Sequence, residues 1–272
     1  MKSLQEFVEE QSAKGRGFFT KSAALAACAM NPTGFQGAAA RLCRKGRLAS
    51  PRRGFYLILR PEDRALGAPD PACWIGPLMA YLGLDYRVSL LRAAAFHGCS
   101  HQAAMVFQVI VPRQLPPISI GRHQLRFHYQ EPGAFAKVNR SEWLTQQKTE
   151  SGFALLAGVE LTLLDMCRYH SSAGGMNGVA QAVEDLGRKA RGRILAAAAA
   201  GYENACVRRL GYLLERFGHG SQARALLPFA AIAKSSKPLD PSSLAIIPGS
   251  AKGVEHHSTW KLDINVTVET DH

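Results

Sequence analysis

Leu4, Phe7 and Val8 recur at helical spacing behind Ser3 and Glu6, a capping-box pair, so the pattern predicts a first helix ending near Gly15. Thr20 opens a second, short helix with Ala24, Leu25 and Cys28 facing inward, and Asn31-Pro32 stops it. Thr33 and Gln36 repeat the capping-box spacing. Phe35, Ala38, Ala39 and Leu42 then mark the inner stripe of a third helix running to Gly46, a residue suited to closing it. Two strand patterns follow, Leu48 to Ser50 and Gly54 to Leu59, joined through Pro51-Arg52-Arg53-Gly54 as a hairpin with a basic tip. Helix, helix, turn, helix, hairpin is the order of a winged helix-turn-helix module, here residues 1–60.

Residues 61–71 (PEDRALGAPDP) carry three prolines and read as a linker. Residues 72–234 read as a larger mixed α/β domain. Helix patterns cover Trp74 to Gly83 and Ser89 to His97, and strand patterns cover Ala104 to Val111 and Gln124 to Tyr129, with a short one at Ile118 to Ile120. From Val159 the chain turns helical: Val159 to His170, Met176 to Leu186, Arg188 to Ala200, Glu203 to Phe217 and Gln222 to Ala233. Residues 235–272, rich in Pro and Ser, are expected to wrap the surface, with a strand at Lys261 to Val268. The fold class expected is α+β: an N-terminal winged helix-turn-helix, then a larger mixed α/β domain with a helical end region.

Composition changes this picture in one respect. The chain has 272 residues, 47% hydrophobic and 20% charged, which supports a packed core. Its net charge of +12 favours an anionic partner, and nucleic acid is the commonest large one. Residues 1–65 hold 12 basic and 5 acidic residues, a net of +7, so the excess sits where the module is. No apolar run reaches the roughly 18 residues of a membrane span, and the start MKSLQEFVEEQ is polar, so a cytoplasmic protein with no membrane partner is expected. The six cysteines form no CxxC pair and read as reduced, mostly buried thiols.

On the third helix Thr33, Gln36, Gly37, Arg41, Arg44 and Lys45 fall mainly outside the apolar stripe, and Arg47, Arg52 and Arg53 follow toward the hairpin. Such a face suits the major groove. Small residues permit close approach, Gln36 can read adenine, and Arg41 can read guanine or clamp phosphate. Arg52 and Arg53 at the tip would reach an adjacent backbone or the minor groove. The competing explanation is a solvated face whose cations favour the helix C-terminus. The absence of acidic residues between Arg41 and Arg53 favours double-stranded DNA as partner.

The stretches GFFTKSAALAAC and GAAARLCRKGRLASPRRGFYLIL resemble the N-terminal winged helix of AbiEi-type antitoxins, the antitoxin halves of type IV abortive-infection toxin–antitoxin systems. YRVSLLRAAAFHGCSHQ, the following VIVPR, and GVELTLLDMCRYH are similar to later stretches of that family, up to about Ala233. The tail beyond has no counterpart. The resemblance implies a transcriptional autorepressor that binds inverted repeats in its own promoter. It also implies an antitoxin that counters a nucleotidyltransferase-like toxin without a stable complex. Two copies on the repeat are expected, because one module reads too few base pairs.

A second basic cluster, Arg188, Lys189, Arg191 and Arg193, stands at an expected helix start, an odd place for cations on dipole grounds. It is read either as a solvated face or as the antitoxin surface toward an acidic partner or a toxin's RNA or nucleotide substrate. His97, Cys99 and His101 suggest a metal site, but Gly98 interrupts a helix there and a capped helix end explains them better. Glu160 and Asp165 suggest acid–base work, yet Glu160 fits a first turn and Asp165 can pair with Arg168 on the same helix. No catalytic site, metal or cofactor is expected. Two other classes remain open: a stand-alone winged-helix transcription regulator whose C-terminal domain senses a ligand in an apolar pocket around Trp74 to His97, and a nucleic-acid-processing enzyme targeted by the winged helix.

Overall fold

The computed structural model describes residues 2–99, 106–150, 152–243 and 255–270. Ser3 caps α1 (Leu4–Ala13), with both capping-box bonds to Glu6 formed. Then come β1 (Phe18–Thr20), α2 (Lys21–Cys28), α3 (Pro32–Arg44), β2 (Leu48–Arg52) and β3 (Phe55–Ile58). The next elements are α4 (Ile75–Leu82), β4 (Arg87–Val88), α5 (Leu90–Phe96), β5 (Val106–Val111), β6 (Ile118–Ile120) and β7 (His123–Tyr129). After α6 (Pro132–Val138), β8 (Leu144–Thr149) and β9 (Gly152–Ala157), the helices are α7 (Val159–Arg168), α8 (Gly175–Leu186), α9 (Gly192–Ala199) and α10 (Asn204–Arg216). Two short helices, α11 (Gly220–Arg224) and α12 (Leu227–Ala231), precede β10 (Lys237–Pro238), β11 (Glu255–His257) and β12 (Leu262–Ile264). The fold is mixed α+β.

The chain divides into two compact units that do not follow the composition. The first comprises Met1–Tyr86, Met105–Tyr129 and Gln146–Leu155; the second comprises Arg87–Ala104, Gln130–Thr145 and Leu156–His272. In the first, β1, β3 and β2 form an antiparallel sheet in that order, with Phe19 opposite Tyr56 and Leu48 opposite Ile58. The inner faces of α1, α2 and α3 close over it, burying Phe7, Ala24, Cys28, Phe35, Ala38, Ala39 and Leu42. Phe19 stacks on Tyr56 at 5.4 Å and meets Phe7 edge-on at the same distance. The apolar stripe of α3 is therefore fully spent on the core, and its opposite face is left to solvent.

β5 and β7 run parallel and in register from Val106–Gln124 to Val111–Tyr129, with β6 antiparallel on the far side of β7. The segment read as a linker is docked, not free. Pro61–Asp63 and Pro71–Cys73 are 3-10 turns, Ala68 is fully buried, and the Arg122 amide donates to the Leu66 carbonyl at 2.8 Å. Gly67 and Gly121, both at positive φ, touch there; a Cβ on Gly67 would lie 2.7 Å from Gly121 Cα. Prolines set the turns, and the buried alanine holds the segment down.

In the second unit α7 is the central helix, with Leu161, Leu163, Leu164, Met166 and Cys167 all inaccessible. Glu160, Thr162 and Asp165 of the same helix are buried as well, so its polar groups must find partners inside the protein. The tail, expected to wrap the surface, is mostly exposed or half-buried over residues 235–243 and 255–270, and it sends Leu239, Trp260 and Leu262 fully into this core. The Trp260 ring fills the space over Gly211 of α10, where a Cβ would lie 2.1 Å from it. The Arg208 guanidinium, itself buried, donates to the carbonyls of Ser235, Trp260 and Lys261. The segment expected as a strand to Val268 pairs only over Leu262–Ile264.

Candidate nucleic-acid interface and basic surfaces

Helix α3 starts two residues before the expected position. Asn31, not Thr33, is its cap, accepting the Gly34 amide at 2.7 Å, and Pro32 occupies the first turn, where its missing N–H costs nothing. Thr33, Gln36, Gly37, Ala40, Arg41, Arg44 and Lys45 are exposed on one side. Among the described residues no ion pair reaches Arg41, Arg44 or Lys45. Gly37 has room for a methyl group, whose nearest neighbour would be Arg41 Nη1 at 3.7 Å. A glycine inside an exposed helix costs roughly 0.5–1 kcal/mol against alanine. Nothing among the described residues requires a glycine there.

Three of the predicted residues take other roles or mixed ones. Arg47 lies 3.6 Å from Glu9 in an exposed pair that contributes little. Arg52 is not at a free tip: Nη2 donates to the Pro116 carbonyl, and its guanidinium lies 5.8 Å over the Phe127 ring. Its neighbour Arg53 is exposed and carries no ion pair among the described residues, while its carbonyl accepts from the Tyr81 hydroxyl at 3.1 Å. Sequence alternation cannot tell these two arginines apart, because Arg52's partners lie 64 and 75 residues away. Gly54 closes the turn at φ +87°, with no space for a Cβ beneath the Tyr81 hydroxyl.

In the second unit the cluster at 188–193 does not open a helix with four cations. Gly187–Lys189 is a 3-10 turn after the end of α8, where cations suit the helix dipole, and α9 begins only at Gly192. Lys189 Nζ donates to the His97 carbonyl at 2.7 Å. Arg191 donates to Glu160 Oε1 twice, through its amide at 2.7 Å and Nε at 3.1 Å. Arg188 and Arg193 remain exposed, with no ion pair among the described residues.

Glu160 and Asp165 are not a working carboxylate pair. Glu160, 3% exposed, holds Arg191, while Asp165 is engaged with Arg87 and not with Arg168, which pairs with Glu203 at 2.8 Å. Arg87 meets both Asp165 oxygens, through Nε at 2.9 Å and Nη2 at 2.7 Å, with both residues fully buried. Ser89 and Tyr202 each donate to the same carboxylate at 2.7 Å, and Gln130 Oε1 accepts from Arg87 at 2.7 Å. Burial alone would pull the Arg87 guanidinium down; the adjacent carboxylate more than reverses this and holds it above the usual arginine range. Burial first, then the Asp165 charge, pushes the Tyr202 phenol well up. Both groups therefore keep their protons, and the network is structural. Sequence reading missed it because Arg87 and Asp165 stand 78 positions apart.

His97 closes α5 and binds the Ala157 carbonyl through Nε2 at 2.8 Å; burial lowers its pKa and favours the neutral ring. Cys99 is buried in the core of this unit, and His101 lies outside the described residues. Among the described residues no group of three or more His, Cys, Asp or Glu could hold a metal ion. Among them, too, no helix is long and apolar enough to cross a membrane.

Residues 87–216 match the AbiEi antitoxin C-terminal domain family. No curated protein matches this chain. Among solved structures it is similar to the RV2827C protein from Mycobacterium tuberculosis, with a TM-score of 0.63 and 16% identity over 95% of this chain and 89% of that one. At that identity the likeness shows a shared fold and no more.

Proposed function

We propose, from the match of residues 87–216 to the AbiEi antitoxin C-terminal domain family, that this chain is a DNA-binding autorepressor that also serves as the antitoxin of a type IV toxin–antitoxin pair. The family is regulatory and implies a toxin partner. Residues 1–60 act as a winged helix-turn-helix: α2 and α3 form the helical pair, β2 and β3 the wing, and α3 is the recognition helix.

The observation that carries this reading is the exposed face of α3. Gln36 and Arg41 stand beside a glycine whose Cβ position is open, and Arg41, Arg44 and Lys45 have no carboxylate partner among the described residues. In the groove, Gln36 and Arg41 contact base edges while Arg44, Lys45 and Arg53 hold phosphates. Two copies bind an inverted repeat in the chain's own promoter. The second unit counters a nucleotidyltransferase-like toxin through a surface that includes Arg188 and Arg193, without a stable complex and without catalysis.

Arg41→Ala tests the assignment of α3. It is exposed and unpaired, so folding is unaffected. Binding to the promoter should weaken by about 1–3 kcal/mol and lose part of its preference over scrambled DNA. Unchanged affinity and preference would remove α3 from the interface.

A further inference from the structure

Within the first unit, the end of α1, β1, β3 and the docked 60–74 segment enclose a cavity of about 190 Å³. Its floor is apolar: Phe18, Leu57, Ile58 and Trp74 line it. Trp74 is 2% exposed and donates its indole N–H to the Pro69 carbonyl at 3.0 Å, so it offers the cavity only its hydrocarbon surface. Gly17 also lines the space, and a Cβ built there meets nothing within 4 Å.

The charged lining is Arg16, Arg60 and Glu150, two cations to one carboxylate. Arg60 is committed to Glu150, with Glu62 at 3.5 Å and Asp63 at 3.6 Å. Arg16 has no carboxylate partner among the described residues. Its Nη1 is steered by the Gln11 amide oxygen at 3.0 Å, and Gln11 is 7% exposed. A buried neutral amide thus steers an exposed guanidinium at the mouth of the cavity, with no carboxylate against it among the described residues. Such a fork binds a carboxylate with both oxygens.

We propose that this cavity is a binding site for a small monoanion with a flat apolar body, a carboxylate of about the size of benzoate. An apolar cavity of about 150 Å³ accepts benzene, and 190 Å³ adds room for the carboxylate that Arg16 receives. The site is separate from the α3 face, and its test involves no DNA.

Calorimetric titration of the full-length protein with benzoate, to about 10 mM, is the direct experiment. Saturable binding is expected, with benzamide, which has the same shape and no charge, at least about tenfold weaker. Arg16→Ala should weaken benzoate by a similar factor and leave benzamide unchanged. Gly17→Val, which fills the cavity from an unstrained position, should abolish binding of both while circular dichroism and thermal unfolding match the parent. Absence of saturable binding, equal affinity for the amide, or full binding by folded Gly17→Val would each overturn the proposal.

Discussion

Arg52→Ala and Arg53→Ala should have opposite effects although the residues are neighbours. Arg52 donates to the Pro116 carbonyl and lies over the Phe127 ring at 5.8 Å. A hydrogen bond from a charged donor contributes about 1.5–3 kcal/mol, and an exposed cation–π contact about 0.5–1 kcal/mol. Arg52 is partly exposed, so screening selects the lower end of both, and truncation should cost about 2 kcal/mol. In a domain of this size that lowers Tm by roughly 4–8 °C. Arg53 is exposed, and the backbone carbonyl that Tyr81 uses survives substitution, so Arg53→Ala should stay within about 0.5 kcal/mol of the parent. On DNA the order reverses. Losing the Arg53 phosphate contact should flatten the log–log salt slope by about 0.9, while Arg52→Ala leaves the slope unchanged below its unfolding temperature. Circular-dichroism melts and fluorescence anisotropy at several salt concentrations measure both. A parental Tm for Arg52→Ala would refute the structural role of that residue. A parental slope for Arg53→Ala, with the parent binding normally, would refute the wing contact.

The remaining expectations concern the helical unit and the face of α3. Arg87→Met leaves the Asp165 carboxylate buried with only Ser89 and Tyr202 as donors, and urea unfolding should show a loss of about 3–5 kcal/mol. The double variant Arg87→Met/Asp165→Leu should lose less than the two single variants together; additive losses would contradict the pairing. Gly37→Ala should raise stability by roughly 0.5–1 kcal/mol and weaken promoter binding; a stabilised variant that binds as well as the parent means that α3 makes no close approach there. Arg188→Glu/Arg193→Glu should fold and bind DNA normally but fail to rescue cells expressing the toxin. Intact rescue would remove the cluster from the antitoxin surface. Arg191→Glu is unsuitable for that test, since it places a second carboxylate against buried Glu160.

Local signals in the sequence were sufficient wherever local physics decided the outcome. The Ser3–Glu6 box forms both of its bonds, and Phe35, Ala38, Ala39 and Leu42 are all buried as the stripe requires. Gly46 follows α3 at φ +62°. The start of α3 shifted because Asn31-Pro32 serves as cap and first turn, a pair that reads equally well as a helix stop. Phe18–Thr20, at three residues, is too short for alternation to reveal it, and its strand exists because β3 pairs with it. Strand β8 and α6 were missed for similar reasons: LTQQKT alternates weakly, and PGAFAKV is a seven-residue helix opened by a Glu131 cap. Arg188–Ala200 read as one helix because the alanines after Leu195 hide the break at Ala190–Arg191. Side-chain fates were the least legible. Arg52, Arg191 and Asp165 are all bound to residues more than 30 positions away, where no periodicity reaches.

The most direct test is fluorescence-anisotropy binding of the full-length protein to its own upstream DNA and to a scrambled duplex across a salt series. With Arg44, Lys45 and Arg53 meeting phosphates, the slope of log K against log salt should be about −2.7 for each bound copy, and about twice that for two copies on the upstream sequence. At every salt concentration that sequence should bind more tightly than the scrambled control. Equal affinity for both duplexes, or a slope near zero, would contradict a sequence-reading winged helix at residues 1–60.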